Sequence, residues 1–127
     1  MTLKEIIERK EEFVSMSFCE VMNIFVNNGI EFNVNDDLMT EKIELEFYNF
    51  DDVDNSLLLC LFNIVLTDEV VNDEDKYEEV RELIENGDYE SAEEFIKYSF
   101  LIISDEDDNH IVNWKDYGLT DKEYNSL

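Results

Sequence analysis

A folded form of this chain has to accommodate a very large negative charge. The 127 residues include 34 Asp and Glu against nine Lys and Arg, a net charge of −25. A small soluble domain usually carries a net charge of about 2 to 8 in magnitude, and self-repulsion beyond that opposes folding. Hydrophobic residues make up 44% of the chain and aromatic residues 13%, too many for a disordered acidic tail. We therefore expect residues 1–127 to form a single acidic domain.

The composition also indicates where the protein resides. The sequence contains no run of apolar residues long enough to span a bilayer, and an acidic surface is repelled by anionic lipid. The charged N-terminus does not resemble a signal peptide. Cys19 and Cys60 lie in apolar runs, which favours buried, reduced thiols. We expect a cytoplasmic protein without a membrane partner.

Periodicity predicts the first elements. Residues 2–27 carry apolar side chains at helical spacing and are predicted to form one long N-terminal helix, capped by Thr2 and ended at Gly29. Residues 30–34 and 43–47 then alternate apolar and polar side chains, which is typical of half-buried strands. These two segments are predicted to form a β-hairpin.

The middle of the chain contains its most apolar segment. Residues 56–66 are apolar on nearly all sides and are predicted to form a central buried helix, serving the core or an interface, with a strand as the alternative. The expected N-terminal caps of this helix are Asp51, Asp52 and Asp54. Residues 74–86 and a segment that begins at Asp88 and extends toward Phe100 form an acidic helical pair. Residues 100–114 are either a second hairpin or a helix followed by a loop. The expected fold is α+β and mostly helical, with one or two β-hairpins.

The densest charge lies between residues 68 and 94. This segment has 13 acids and two bases, which gives 2 − 13 = −11 over 27 residues. If it were fully helical it would measure about 40 Å, a length over which one strand of B-DNA carries about 12 phosphates. Glu78, Glu82 and Glu85 would share one face. The candidate DNA-mimic face comprises Asp73, Glu74, Asp75, Glu78, Glu79, Glu82, Glu85, Asp88, Glu90, Glu93 and Glu94. The alternative interpretation is an ordinary solvated helix face.

A second acidic segment follows near the C-terminus. It consists of Asp105, Glu106, Asp107 and Asp108. Residues 105–116 also match the ligand spacing of an EF-hand loop, with His110 in place of the usual glycine and Asp116 in place of the usual glutamate. The oxygen ligands in this weak calcium-loop alternative are Asp105, Asp107, Asn109, Asn113 and Asp116. An acidic hairpin turn is the simpler interpretation, and we expect no metal.

Signals of catalysis are weak. His110 is the only histidine, and no G-x-S-x-G nucleophile motif accompanies it. The three glycines are too far apart to form a phosphate-binding loop. Trp114, Tyr117 and Tyr124 suit either a binding patch or, more simply, attachment of the C-terminal segment to the core. We expect neither enzymatic activity nor a cofactor.

Two C-terminal segments, NGDYESAEEFIKYSF (86–100) and VNWKDYGLTDKEYNS (112–126), carry a family resemblance. Together they resemble the last module of ArdA-type antirestriction proteins over about a third of the chain. The matching residues are Gly87, Tyr89, Ser91, Glu93, Glu94 and Phe95, then Trp114, Asp116, Tyr117 and Tyr124. That family consists of DNA mimics that block type I restriction enzymes. The composition is also similar to that of small acidic phage proteins that inhibit CRISPR nucleases. The resemblance implies a DNA mimic from a phage or mobile element.

These observations lead to one main hypothesis and one alternative. The main hypothesis is a DNA-mimic inhibitor that occupies the DNA-binding site of a bacterial defence nuclease, either a restriction enzyme or a CRISPR effector. Its partner would be a basic DNA-binding protein and not nucleic acid itself, and a homodimer would extend the charged surface. The core of the mimic would be Glu78, Glu82, Glu85, Glu90, Glu93 and Glu94. The alternative is an immunity protein or antitoxin that neutralises a basic nuclease toxin.

Overall fold

A computed structural model describes residues 1–35, 42–50 and 59–126. The predicted turn between the first two strands and the predicted caps at Asp51, Asp52 and Asp54 lie outside these residues. The strands are β1 (Glu31–Asn35), β2 (Lys42–Tyr48), β3 (Leu59–Leu66), β4 (Ile96–Ser104) and β5 (His110–Val112). The helices are α1 (Leu3–Glu8), α2 (Lys10–Val14), α3 (Phe18–Asn27), α4 (Asp68–Val71), α5 (Glu74–Glu85), α6 (Tyr89–Glu93), a 3-10 helix (Trp114–Tyr117) and α7 (Asp121–Asn125).

The described strands form one antiparallel sheet in the order β1-β2-β3-β4-β5. The two strands expected from alternation pair with each other, with Phe32 opposite Phe47 and Val34 opposite Leu45. Each later strand then adds beside the one before it in sequence. The prediction of a mostly helical fold with one or two hairpins is therefore wrong: the helices pack on a five-stranded antiparallel sheet.

The error arises in the most apolar segment. Residues 59–66 form the central strand β3, paired with β2 on one side and β4 on the other, and not a central buried helix. Cys60, Phe62 and Ile64 enter the main core, whereas Leu61 and Val65 pack in a second cluster. A strand covered on both faces is apolar at nearly every position, so its sequence cannot be told from that of a buried helix by periodicity alone.

Helices cover one face of the sheet. The predicted long N-terminal helix is in fact three helices, α1, α2 and α3, which bury the expected apolar stripe in separate pieces. The chain restarts at Ser17, whose hydroxyl accepts a hydrogen bond from the Glu20 N–H and caps α3. The Phe18 ring then lies 5.8 Å from Phe62 of β3. All three helices still contribute buried residues to the main core, such as Ile6, Phe13 and Phe25.

The C-terminal segment covers part of the opposite face. Trp114 stacks on Tyr124 with ring centroids 4.8 Å apart, and Phe100 of β4 lies 5.9 Å from the same tyrosine. The Tyr117 hydroxyl accepts a hydrogen bond from the Leu101 N–H at 3.1 Å. Burial raises the pKa of Tyr117 to about 12. These aromatic residues therefore hold the end of the chain against the sheet.

Residues 100–114, for which the sequence allowed either a hairpin or a helix and a loop, contain a hairpin. β4 and β5 pair around a turn at residues 105–109. The helix expected from Asp88 toward Phe100 is wrong, because α6 ends at Glu93 and β4 begins at Ile96. Pairing with β3 along this length outweighs the helical spacing of the apolar residues. In the described ranges, no helix is long and apolar enough to cross a membrane.

Candidate functional site

The predicted acidic segment is divided among three helices. α4, α5 and α6 are separated by turns at residues 72–73 and 86–88, so the segment is not one 40 Å rod. Asp73 caps α5 by accepting hydrogen bonds from the N–H groups of Asp75 and Lys76 at 3.0 and 3.3 Å. Asp88 caps α6 through the Ser91 N–H at 3.4 Å. These two aspartates have a structural task as well as an exposed charge.

Helix α5 carries the most acidic residues of the three helices. Its Tyr77, Val80 and Ile84 are buried against the core, so the opposite face points to solvent. Six exposed acids lie along this helix: Glu74, Asp75, Glu78, Glu79, Glu82 and Glu85. Twelve helical residues span about 18 Å, and one strand of B-DNA carries about five phosphates over that length. The match in linear charge density therefore holds locally, on α5.

The two bases of this region are both engaged by acids. Lys76 lies 3.7 Å from Glu79 and 3.9 Å from Glu69, and Arg81 lies 3.1 Å from Glu85. No ion pair within the described part of the chain neutralises the other α5 acids: Glu74, Asp75, Glu78 and Glu82. The solvent face of α5 thus carries four acids without a counter-charge, and the charge of Glu85 is partly offset.

The acids of α6 do not all join that face. Glu90 and Glu94 are exposed, whereas Glu93 is half-buried and acts on Cys19 of α3. The pKa of the Cys19 thiol is raised, first by burial and then by the negative charge of Glu93. Cys19 and Cys60 are both free thiols, with Cys60 buried and Cys19 half-buried. Glu93 is therefore the half-buried member of the predicted mimic face, whose other residues are exposed.

The second acidic segment forms the turn between β4 and β5. Asp105 accepts hydrogen bonds from the N–H groups of Asp107 and Asn109 at 3.0 and 2.9 Å. The bond from Asn109 is the main cause of the lowered pKa of Asp105. Glu106, Asp107 and Asp108 are exposed. The turn follows the C-terminal end of β4, whereas α6 precedes its N-terminal end. The nine residues of β4 span about 26 Å. The structure thus keeps the two acidic regions apart.

The residues of the calcium-loop alternative serve local structure. Asp105 closes its own turn, and Asn113 caps the 3-10 helix through the Lys115 N–H at 2.8 Å. Asp116 accepts from the Asn113 N–H at 2.9 Å and pairs with Lys10 at 3.3 Å. Among the described residues, no group of three or more His, Cys, Asp or Glu side chains is arranged to hold a metal ion.

The structure adds acidic residues that the predicted site omitted. Glu44 and Glu46 of β2 alternate with buried residues, and Glu31 of β1 precedes the half-buried Phe32. Glu31 is diagonal to Glu46 in the register. Asn35 donates a hydrogen bond to Glu44 at 2.6 Å. The period-two pattern already placed these glutamates on the outer face, but only strand pairing brings those of β1 and β2 together.

A groove runs beside the edge strand β1. Its volume is about 510 Å³. It is lined by Val26, Ile30, Glu31, Phe32, Asn33, Val34, Tyr48, Glu85 and Tyr89. Two of the apolar residues are unusually open to solvent, with Val26 41% and Tyr48 42% exposed. The groove brings together the end of α3, the sheet edge and the ends of α5 and α6. Nothing in the sequence pattern alone connects these segments.

The fold and the site define a small acidic α+β protein with a helix-covered antiparallel sheet. Comparison with protein-family models, with curated proteins and with solved structures gave no match.

Proposed function

We propose that this protein inhibits a DNA-binding enzyme by presenting carboxylates where the enzyme would bind phosphates. The observation that carries the proposal is the solvent face of α5, where Glu74, Asp75, Glu78 and Glu82 have no neutralising ion pair among the described residues. A protein without a need for this charge would gain helix stability from interspersed lysines. The ArdA-type resemblance stays a prediction that agrees with this function.

The mechanism follows from charge complementarity. A DNA-binding channel holds Arg and Lys side chains aimed at phosphates, and the carboxylates of α5 lie at a similar linear density. Such a surface accelerates association by steering and gains specificity from matched charges. In a restriction enzyme it would cover the DNA channel. In a CRISPR effector it would reach the arginines that read the short DNA motif beside the target.

The first test is capture of the target. Tagged protein would be incubated with a bacterial lysate, with and without competing duplex DNA, and the retained proteins identified by mass spectrometry. The expected result is a nuclease or restriction complex that competing DNA and raised salt both displace. The purified target would then be tested for DNA cleavage in the presence of the protein. Retention of no basic DNA-binding protein would refute the proposal.

A matched pair of variants assigns the surface. Glu78→Lys with Glu82→Lys reverses two charges on α5, and Glu8→Lys with Glu11→Lys reverses two exposed charges on α1 and α2. Both variants change the net charge by the same amount. We expect the α5 variant to lose inhibition and the N-terminal variant to retain most of it. Equal loss in both would show that net charge, and not the α5 face, governs binding.

The groove beside β1 favours a second candidate, an immunity protein or antitoxin for a basic nuclease toxin. Such proteins use one acidic patch with aromatic anchors, and the groove combines Glu31 and Glu85 with Tyr48 and Tyr89. In this case the capture experiment would yield one small basic nuclease. Coexpression with that nuclease would restore growth of the host. Lack of protection would exclude this candidate.

A further inference from the structure

We propose that the open edge of β1, with the groove beside it, binds an extended basic segment of the partner as an added strand. The inference rests on the proposed function only in that the partner is basic. It adds a second contact region to the α5 face and specifies the shape of the segment bound there.

The first support is the sheet edge. β1 pairs with β2, and within the described ranges no strand lies on its other side. An edge strand directs alternate N–H and C=O groups away from the sheet, where they are available to a peptide in extended conformation. The five residues of β1 (Glu31–Asn35) contain no proline, lysine or arginine that would protect the edge.

The second support is the composition of the groove. Phe32 and Val34 are half-buried on β1, and Val26 and Tyr48 are among the most exposed large apolar residues of the described chain. These side chains suit the aliphatic stem of an arginine or lysine, and an aromatic ring also attracts the cation. A volume of about 510 Å³ exceeds that of one side chain and suits a short run of residues.

The third support is the charge at the groove. Glu31 lies on β1 and Glu85 at the end of α5, and both line the groove. Arg81 holds the Glu85 carboxylate at 3.1 Å, which fixes its position and leaves it able to accept a second cation. An exposed ion pair of this kind adds little to the stability of the fold, but it holds the Glu85 carboxylate in place. An incoming arginine would therefore find one carboxylate already positioned, and Glu31 also lines the groove.

Charge also selects the occupant. A second copy of this chain would bring a net charge of −25 toward an equal charge, and its own β1 offers an acid and no base. An acidic or neutral peptide would gain the backbone hydrogen bonds alone. A basic strand gains both the backbone pairing and the carboxylates, so it is the occupant that the groove fits best.

The test uses a short fluorescent peptide of alternating valine and arginine, titrated with the full protein and followed by anisotropy. Its matched control has the same sequence with alternate backbone nitrogens methylated, which removes strand pairing and keeps the charge. We expect the control to bind at least about tenfold more weakly. Equal binding of the two peptides, or no saturable binding of either, would overturn the proposal.

Two charge variants locate the binding. Glu31→Gln with Glu85→Gln removes the groove carboxylates, and Glu78→Gln with Glu82→Gln removes the same charge from the α5 face. The groove variant should bind the peptide about tenfold more weakly, and the α5 variant should lose much less affinity. The reverse order would overturn the assignment. A dimer in sedimentation velocity that Tyr48→Arg dissociates would show that a second copy occupies the edge, which also overturns it.

The two proposals fail separately. If the peptide binds at β1 and no DNA-binding protein is captured from the lysate, only the mimicry is refuted. The partner would then be a basic protein of another kind. Loss of inhibition in the α5 lysine variant, without any peptide binding at β1, would support the mimicry and refute only the added strand.

Discussion

Reversing one charge on α5 should stabilise the fold while weakening the proposed inhibition. Glu82 has three acidic neighbours at helical contact spacing, Glu78 at i−4, Glu79 at i−3 and Glu85 at i+3. Two of these already have a cation, since Lys76 pairs with Glu79 and Arg81 with Glu85. The substitution Glu82→Lys therefore acts mainly on Glu78, and it places the lysine C-terminal to that glutamate, the favoured orientation.

The magnitude follows from these pairs. Removing one repulsive pair and creating an attractive one changes stability by about 0.4–1.0 kcal/mol at the Glu78 position. The two neighbours that are already paired add a smaller amount, so we expect a total gain of about 1 kcal/mol. That gain corresponds to a rise of about 3–4 °C in the melting temperature. It should shrink at about 1 M salt, where the Debye length falls to about 3 Å.

The assay is thermal unfolding by circular dichroism at low and high salt, with urea denaturation as a second measure. Asp116→Lys is the matched control, because it changes the net charge equally. Asp116 caps the 3-10 helix through the Asn113 N–H and pairs with Lys10, so this variant should be destabilised. If both variants gained stability, net charge would control it and the helix-pair reasoning would be refuted. If Glu82→Lys lost stability at low salt, the geometry assigned to α5 would be wrong.

Three further predictions concern the core and the C-terminal segment. Burial raises the pKa of Tyr117 to about 12, so its stabilising contribution is complete below about pH 10 and is lost as the pH rises toward 12. Tyr117→Phe should remove that alkaline loss and cost about 1 kcal/mol at neutral pH, because the Leu101 N–H loses its acceptor; urea denaturation across this pH range measures both. Phe62→Ala should cost about 3–5 kcal/mol in urea denaturation, because the ring is 1% exposed and packs in the centre of the core. Gly118→Ala should lower stability by about 1 kcal/mol in thermal unfolding, because Gly118 has a φ of +80°, which alanine adopts only with strain. No atom lies within 4 Å of an added Cβ, so a steric clash adds nothing to this cost.

Helical spacing places some residues of the predicted site on one face, and tertiary packing decides where the others lie. Glu78 and Glu82 share the exposed face of α5 because four residues make about one helical turn, which the sequence contains directly. Glu93 is predicted for the same face but is half-buried, and its charge acts on Cys19 of α3. The packing of α6 against α3 decides this burial, and no local pattern encodes it. The groove residues Glu31 and Glu85 are also far apart in sequence, and only the tertiary fold places both of them at the groove.

Local periodicity and capping by themselves determined the helix α5, the strands β1 and β2, the end of α3 at Asn27 and the amount and location of the charge. These depend on contacts within a few residues, so a single sequence contains them. Tertiary structure alone decided that residues 59–66 form the central strand β3 and that the N-terminal apolar stripe is divided among three helices. A segment buried along most of its length is largely apolar in either conformation. The neighbouring strands β2 and β4 make the choice through backbone hydrogen bonds.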